Sequence, residues 1–279
     1  MNVIVAPRIG MPVTPLSPDT TAASSFVRID RVSKSFAGIK AVDDVSIDIA
    51  KGELFALLGG SGCGKTTLLR MLAGFETPSS GRILIDGKDM TEVPPYERPV
   101  NMMFQSYALF PWRTVRKNVE FGPRMKGLSA AECRTIADRF IDMVGLHGFA
   151  DYYPAELSGG MQQRVTLARS LAADPEVLLM DEPFAALDAM TRHVLQEELT
   201  RIQQESLKTI VLVTHNIDEA LIMADRIVVM SPHPGQIKAV IPNELPRPRD
   251  LDVQLSRAWG ELKKEIWLLV AGDVSLHAS

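Results

Sequence analysis

The chain has 279 residues, of which 46% are hydrophobic and 23% charged, and its formal net charge is −4. These values suit a globular protein with a sizeable core and exclude a disordered or fibrous chain. The acidic balance predicts no nucleic-acid partner, and two cysteines are too few for a disulfide framework, which predicts a reduced, cytosolic protein.

The N-terminal residues 1–25 resemble neither a signal peptide nor a membrane anchor. They carry one positive charge, at Arg8, and four prolines interrupt their apolar residues. The longest apolar run in the chain, residues 266–271, is far shorter than the roughly 20 residues that a membrane-spanning helix needs. We therefore predict a flexible arm over 1–25, one domain over 26–230, and a C-terminal extension over 231–279.

Strands and helices alternate along the predicted domain. Apolar and polar residues alternate from Val45 to Ile49, which predicts a half-buried strand, and Ser129 with Glu132 forms a capping box. The helix after that box should bury Ile136, Phe140, Met143 and Val144. Further strands are predicted at 54–58, 82–86, 100–104, 177–180, 209–214 and 226–230, and further helices at 68–72, 158–173, 189–206 and 255–270. The alternation predicts an α/β fold with a mixed, largely parallel sheet.

The most explicit chemical motif follows the first buried strand, because residues 59–66 fit the phosphate-binding pattern G-x-x-x-x-G-K-[ST]. Backbone N–H groups of such a loop and the start of the next helix attract phosphate. Lys65 should reach the β- and γ-phosphates, and the Thr66 hydroxyl should ligate Mg²⁺. A glycine-rich turn without function is the alternative, and the strand-to-helix context argues against it. The predicted nucleotide-binding residues here are Gly59, Gly60, Ser61, Gly62, Cys63, Gly64, Lys65, Thr66 and Thr67. Cys63, at a helix start beside Lys65, should be the more reactive thiol.

Two acidic residues end a later buried strand. Asp181 and Glu182 follow four apolar residues at the carboxyl edge of the sheet, where α/β proteins bind ligands. Asp181 is placed to hold Mg²⁺ through water, and Glu182 to deprotonate an attacking water. The alternative is a pair of solvated loop acids.

A third motif lies at residues 157–164, LSGGMQQR. Ser158 is a helix N-cap, and two glycines expose the backbone of the first turn, which predicts a second anion site. A plain N-cap would explain Ser158 but not the whole string.

Together these motifs resemble the ATP-binding subunit of ABC transporters, over residues 26–230. The family's other landmarks are present in order: Phe36, Gln105 after a strand, Asp188 after Ala186-Leu187, and His215 at a strand end. The resemblance implies a P-loop NTPase of the ABC ATPase type with a helical subdomain near 106–174. The departures are small, since Gly60 replaces a common proline and Ala185 a common small polar residue.

The resemblance also implies how the residues act. ATP with Mg²⁺ would lie between two copies of the chain, bound by the phosphate loop of one and the LSGG segment of the other. Phe36 would stack on adenine, His215 would touch the γ-phosphate, and Gln105 would sense Mg²⁺ and nucleotide. The catalytic residues would be Glu182, His215, Lys65 and Gln105; the metal ligands Thr66, Gln105 and Asp181; further nucleotide contacts Ser158, Gly159, Gly160, Gln163 and Asp188.

Partners follow from the same resemblance: transmembrane permease subunits and, indirectly, a periplasmic or extracellular solute-binding protein. The chain itself would be a peripheral protein on the cytoplasmic face of the cell (inner) membrane. Residues 107–114 are aromatic and apolar and would form a groove for a permease helix, with core packing as the alternative. Residues 230–237, 111–115 and 246–250 favour importers of nitrate, sulfonates or taurine, whereas residues 100–111 are also similar to polyamine importers. A soluble ABC ATPase and a P-loop kinase or GTPase are the less favoured classes.

Overall fold

The computed structural model describes residues 25–104 and 107–271. Its contacts separate two units, Met1–Arg98 with Thr209–Ser279, and Pro99–Lys208. Apart from Ser25, the predicted N-terminal arm lies outside the described residues. The predicted domain boundaries stay predictions.

The elements of the described residues are as follows, in chain order. They are β1 (Ser25–Phe36), β2 (Ile39–Ala50), β3 (Leu54–Leu58), α1 (Lys65–Ala73), β4 (Ser80–Ile85), β5 (Lys88–Asp89), β6 (Val100–Met103), α2 (Val115–Val119), α3 (Phe121–Met125), α4 (Ala130–Met143), α5 (Gly159–Ala172), β7 (Val177–Asp181), α6 (Ala189–Ser206), β8 (Thr209–Thr214), α7 (Ile217–Met223), β9 (Arg226–Ser231), β10 (Gln236–Pro242), α8 (Leu251–Gln254) and α9 (Arg257–Ala271).

The first unit contains two kinds of sheet. Strands β2, β1, β4 and β5 are neighbours in that order, and every pair is antiparallel. In the other set β3 pairs in parallel with β8 and β9, and β10 adds to β9 antiparallel. All five residues of β3 are buried, as in a parallel strand covered on both faces. The sequence predicted this mixed sheet, but it did not predict β1, β5, α7, β10 or α8.

The second unit contains the parallel pair β6 and β7 and the helices α2 to α6. The capping box at Ser129 and Glu132 is present at the start of α4. The predicted buried face of α4 is wrong in part. Val144, just after the helix, is buried as predicted, but the other three predicted residues, Ile136, Phe140 and Met143, are only half-buried. The buried residues of the helix are instead Cys133, Ala137 and Ile141. Helix α4 packs on α5, and two of its buried residues have small side chains. Small residues contribute little to a hydrophobic pattern, so the pattern did not predict this buried face.

Within the part of the chain that the structure describes, no helix is both long enough and apolar enough to cross a lipid bilayer. The apolar residues 266–271 belong instead to α9, where Ile266 is buried and Trp267 is 61% exposed.

Candidate nucleotide-binding site

The phosphate loop connects β3 to α1 in the first unit. Gly62 and Gly64 have φ values of 79° and 83°, which residues with a Cβ rarely adopt. Gly64 is also the N-cap of α1. A Cβ on Gly64 would also lie 2.7 Å from the Ala41 carbonyl oxygen. Gly60, Ser61 and Gly62 are exposed at the mouth of the loop. The loop therefore presents backbone at the start of a helix, as phosphate binding requires.

Lys65 folds back over its own loop. Its ammonium group donates to the carbonyl oxygens of Gly59 and Gly60 at 2.8 and 2.7 Å, and it lies 3.4 Å from the Cys63 sulfur. The side chain is only 6% exposed. A positive charge is thus held inside the loop, where phosphate oxygens could replace the two carbonyl acceptors.

The structure corrects the prediction that Cys63 is the more reactive thiol. Its side chain points into the protein and is fully buried, as is that of Cys133. A Cβ on Gly59 would meet the Cys63 sulfur at 2.7 Å, so the thiol fills the space beneath the loop. Burial withholds the thiol from reagents, so the expected preferential reactivity has no structural support.

A turn that the sequence analysis did not assign to the site supports the phosphate loop. Gly235, between β9 and β10, donates its N–H to the Ala41 carbonyl at 3.1 Å and accepts from the Asp43 N–H at 3.0 Å. A Cβ on Gly235 would lie 2.3 Å from the Cys63 carbonyl oxygen. Only glycine permits this approach, and the signal available in the sequence was the Pro234-Gly235 pair.

Two further predicted residues lie in the first unit. Phe36 ends β1, is 44% exposed, and has the Lys34 ammonium 4.9 Å from its ring centroid. His215 follows β8 directly and is exposed, and Asn216 after it caps α7 by accepting from the Asp218 N–H at 2.9 Å. An exposed aromatic and an exposed histidine at strand ends suit ligand contacts better than core packing.

In the second unit the predicted carboxylates lie at the end of β7. Asp181 is its last residue and is 3% exposed. Glu182 follows with φ 49°, a left-handed conformation that is uncommon for a residue with a side chain and is typical of functional turns.

Two of the predicted nucleotide contacts in this unit, Ser158 and Asp188, are helix N-caps. Ser158 caps α5, its hydroxyl accepting from the Met161 N–H at 3.3 Å, and both Ser158 and Gly159 are exposed. Asp188 caps α6 and accepts from the Thr191 N–H at 3.0 Å, and this hydrogen bond lowers the pKa of its carboxyl group. Gln163 is buried and faces the turn after Glu182, and Gln105 lies outside the described residues.

The segment 107–114 is exposed at its tip and anchored at its base. Trp112 is 72% exposed, whereas Asn118 is completely buried and donates its amide to the carbonyls of Phe110, Arg113 and Thr114. The Phe110 ring lies 5.9 Å from that of Trp112 and 4.8 Å from that of Phe121. Trp112 is therefore not a core residue, which was the alternative interpretation.

An open phosphate loop, a buried strand ending in two acids, and a glycine-rich helix start define a nucleotide-hydrolysing α/β protein. Residues 42–185 match the model of the ABC transporter family. The chain belongs to this family, and it is the ATP-hydrolysing kind of subunit that couples ATP hydrolysis to transport.

Several relatives are similar over most of the chain. An uncharacterized ABC transporter ATP-binding protein, MJ0412 of Methanocaldococcus jannaschii, is 47% identical over 89% of this chain and 92% of its own length. The putrescine transport ATP-binding protein PotG of Escherichia coli is 52% identical over 75% of this chain and 56% of its own. A dimeric post-hydrolysis structure of the cassette MJ0796 with ADP and phosphate has a TM-score of 0.73 at 31% identity, covering 78% of this chain and 99% of that one. The predicted fold class is confirmed, whereas the nitrate, sulfonate or taurine branch finds no support among these relatives.

Proposed function

We propose that the chain is the ATP-hydrolysing subunit of an ABC importer that takes up a small solute. Membership of the family carries the ATPase part of this proposal. The importer part is supported by relatives whose names include putrescine transport and spermidine/putrescine import, with sequence identities of 52% and 50%. These relatives favour the polyamine alternative over the oxyanion interpretation of the sequence.

The residue roles belong to the same proposal. The phosphate loop and Lys65 bind the phosphates of ATP, Phe36 stacks on adenine, and His215 contacts the γ-phosphate. Glu182 accepts a proton from the attacking water, which requires a carboxylate at a fixed position. The exposed N-terminus of α5 at Ser158 supplies a second phosphate contact.

Magnesium fits the donor set, because the Thr66 hydroxyl and the Asp181 carboxylate are the oxygen ligands that Mg²⁺ prefers. Bound Mg²⁺ would neutralise charge on the phosphates during transfer. Gln105 completes the proposed ligands on the strength of the family resemblance alone.

The partners are proposed from the same relationships. Two copies form a dimer with ATP between the phosphate loop of one and Ser158 to Gly160 of the other, and Asp188 crosses the interface. The dimeric structures of the cassette MJ0796 support the formation of a dimer. A permease in the membrane would contact the segment 107–114 at the cytoplasmic face, and a solute-binding protein would deliver the solute.

Uptake by whole cells tests the solute class. Cells that carry the chain with its permease and binding protein are given radiolabelled spermidine, putrescine, nitrate or taurine. We expect accumulation of the two polyamines that is lost when the gene for this chain is deleted. Deletion-sensitive uptake of nitrate or taurine, with polyamine uptake unchanged, would reject the polyamine assignment.

A further inference from the structure

We propose that Gln163 is a positioning residue for Glu182, fixing the turn that carries the catalytic carboxylate. This inference rests on the proposed role of Glu182 in hydrolysis. The family resemblance suggested that Gln163 contacts nucleotide, but its hydrogen bonds in the structure go to protein backbone.

Both ends of the Gln163 amide are used on one short turn. Its Nε2 donates to the Glu182 carbonyl oxygen at 3.3 Å, and its Oε1 accepts from the Ala186 N–H at 3.0 Å. The side chain is 3% exposed, so water does not compete freely for either bond. A single planar group therefore spans the start and the end of the turn and fixes the distance between them.

The turn needs such support because Glu182 has a left-handed backbone conformation, φ 49°. Residues with a Cβ adopt this conformation at a cost and keep it only where surrounding contacts enforce it. Inside the turn, the Ala185 N–H donates to the same Glu182 carbonyl at 3.3 Å, and Phe184 is completely buried. Gln163 contributes from outside the turn, and its Nε2 hydrogen bond is made to the residue that carries the carboxylate.

Gly160 allows α5 to come close enough for this contact. It lies three residues before Gln163 and therefore on the same face of the helix. A Cβ at Gly160 would be 3.2 Å from the Ala186 carbonyl oxygen, closer than most side chains tolerate. The glycine and the glutamine of the LSGGMQQR segment thus serve one purpose, the close packing of α5 against the Glu182 turn.

The test replaces Gln163 by methionine in the full-length chain, which keeps the volume and removes both hydrogen bonds. Gln196→Met is the matched control: Gln196 lies on α6 in the same unit, is 2% exposed, and its Nε2 has no hydrogen-bond partner among the described residues. We expect Gln163→Met to lower kcat for MgATP at least tenfold with KM unchanged, because small displacements of a catalytic group cost that much or more. Gln196→Met should keep the parent kcat at a similar melting temperature.

Rates are expressed per ATP-binding site, titrated with a non-hydrolysable analogue, so that an unfolded fraction cannot imitate a loss of kcat. If Gln163→Met folds poorly, Gln163→Ala is measured in the same way. Parent kcat in either folded variant would overturn the proposal, as would a rise in KM without a fall in kcat, which would indicate a nucleotide contact.

A double-mutant cycle with Glu182→Gln separates positioning from general damage. If Gln163 acts through the Glu182 carboxylate, Gln163→Met should cause no further loss in the Glu182→Gln background under single-turnover conditions. An undiminished tenfold loss there would reject the proposal. Parent activity of Glu182→Gln alone would instead reject the catalytic role of Glu182, so the two failures are distinguishable.

Discussion

At the scale of single residues, the chemistry depends on backbone conformations that few residue types can adopt. Gly62 and Gly64 open the phosphate loop with positive φ, and Glu182 adopts a similar conformation despite its side chain. Lys65 is held by two carbonyl groups inside the loop. Single substitutions at these residues should therefore separate the binding of ATP from its hydrolysis.

Glu182→Gln should leave ATP binding intact and lower hydrolysis by about 10²–10⁴-fold, because an amide cannot accept the proton of the attacking water. Binding is measured with a fluorescent ATP analogue and hydrolysis by phosphate release. The trapped nucleotide should also hold two copies together on size-exclusion chromatography. Turnover at the parent rate would show that another group is the base.

Gly235→Ala should weaken ATP binding, although Gly235 itself is not among the residues proposed to contact nucleotide. Its new methyl group would lie 2.3 Å from the Cys63 carbonyl oxygen, so the phosphate loop must shift. Overpacking of this kind typically costs about 1–3 kcal/mol of stability. Isothermal titration with MgATP and a thermal melt measure both effects, with Gly148→Ala as the control because a Cβ there meets no atom within 4 Å. Unchanged affinity and melting would show that the loop adapts without strain.

At the scale of elements, two helices that follow predicted nucleotide-binding residues have carbonyl groups at their C-termini that accept hydrogen bonds from arginine side chains. Both arginines lie elsewhere in the chain. Arg98 donates to the carbonyls of Met71 and Leu72 at the end of α1. Arg249 donates to those of Leu221 and Ala224 at the end of α7, and burial lowers the pKa of Arg249 to about 10. A cationic side chain at a helix C-terminus donates hydrogen bonds to the last carbonyl groups and interacts favourably with the helix dipole.

Arg249→Met should destabilise the first unit, because it removes the charged hydrogen bonds that the buried guanidinium group donates to backbone carbonyl groups. We expect a loss of about 2–3 kcal/mol in the free energy of unfolding. Arg257→Met is the control, since the Arg257 side chain is 92% exposed and pairs only with Glu261 one turn away among the described groups. Equal denaturation midpoints for the two variants would contradict this role of Arg249.

Trp112→Ala should leave the thermal melt, ATP binding and basal ATPase activity of the isolated chain unchanged, because Trp112 is 72% exposed. Assembly with the permease, or stimulation by it, should be lost, since a buried aromatic anchor can contribute over about 2 kcal/mol to an interface. Co-purification with the permease measures assembly. A melt lowered by the roughly 3–5 kcal/mol of a core truncation would restore the core-packing alternative.

At the scale of the whole molecule, contiguous patterns were predictable and long-range contacts were not. The strand, glycine loop and helix at 54–73 follow from local sequence, and so does the capping box of α4. The contact of Gly235 with the phosphate loop joins residues far apart in sequence, so no local pattern predicted it. Strand β10 is an exception, because it pairs with the adjacent strand β9 and was missed although its partner is close in sequence. The same holds for Gln163, because the sequence predicted its position on a helix but not its hydrogen bonds to the turn after Glu182.

The solute is the least predictable property, since its recognition is expected in the permease and the binding protein. Short strings such as 230–237 favoured an oxyanion importer, whereas relatives similar over most of the chain include polyamine importers. In this structure Gly235, within that string, packs against the phosphate loop. Packing inside the ATPase therefore explains part of the string without reference to any solute.

The most direct test of the central claim is ATP hydrolysis by the complete transporter in proteoliposomes. The chain is assembled with its permease, and phosphate release is followed with and without the solute-binding protein loaded with spermidine. We predict that the loaded binding protein stimulates hydrolysis severalfold and that Glu182→Gln abolishes both the basal and the stimulated rates. Hydrolysis that is indifferent to the permease and to every loaded binding protein would contradict the assignment as the ATPase subunit of an importer.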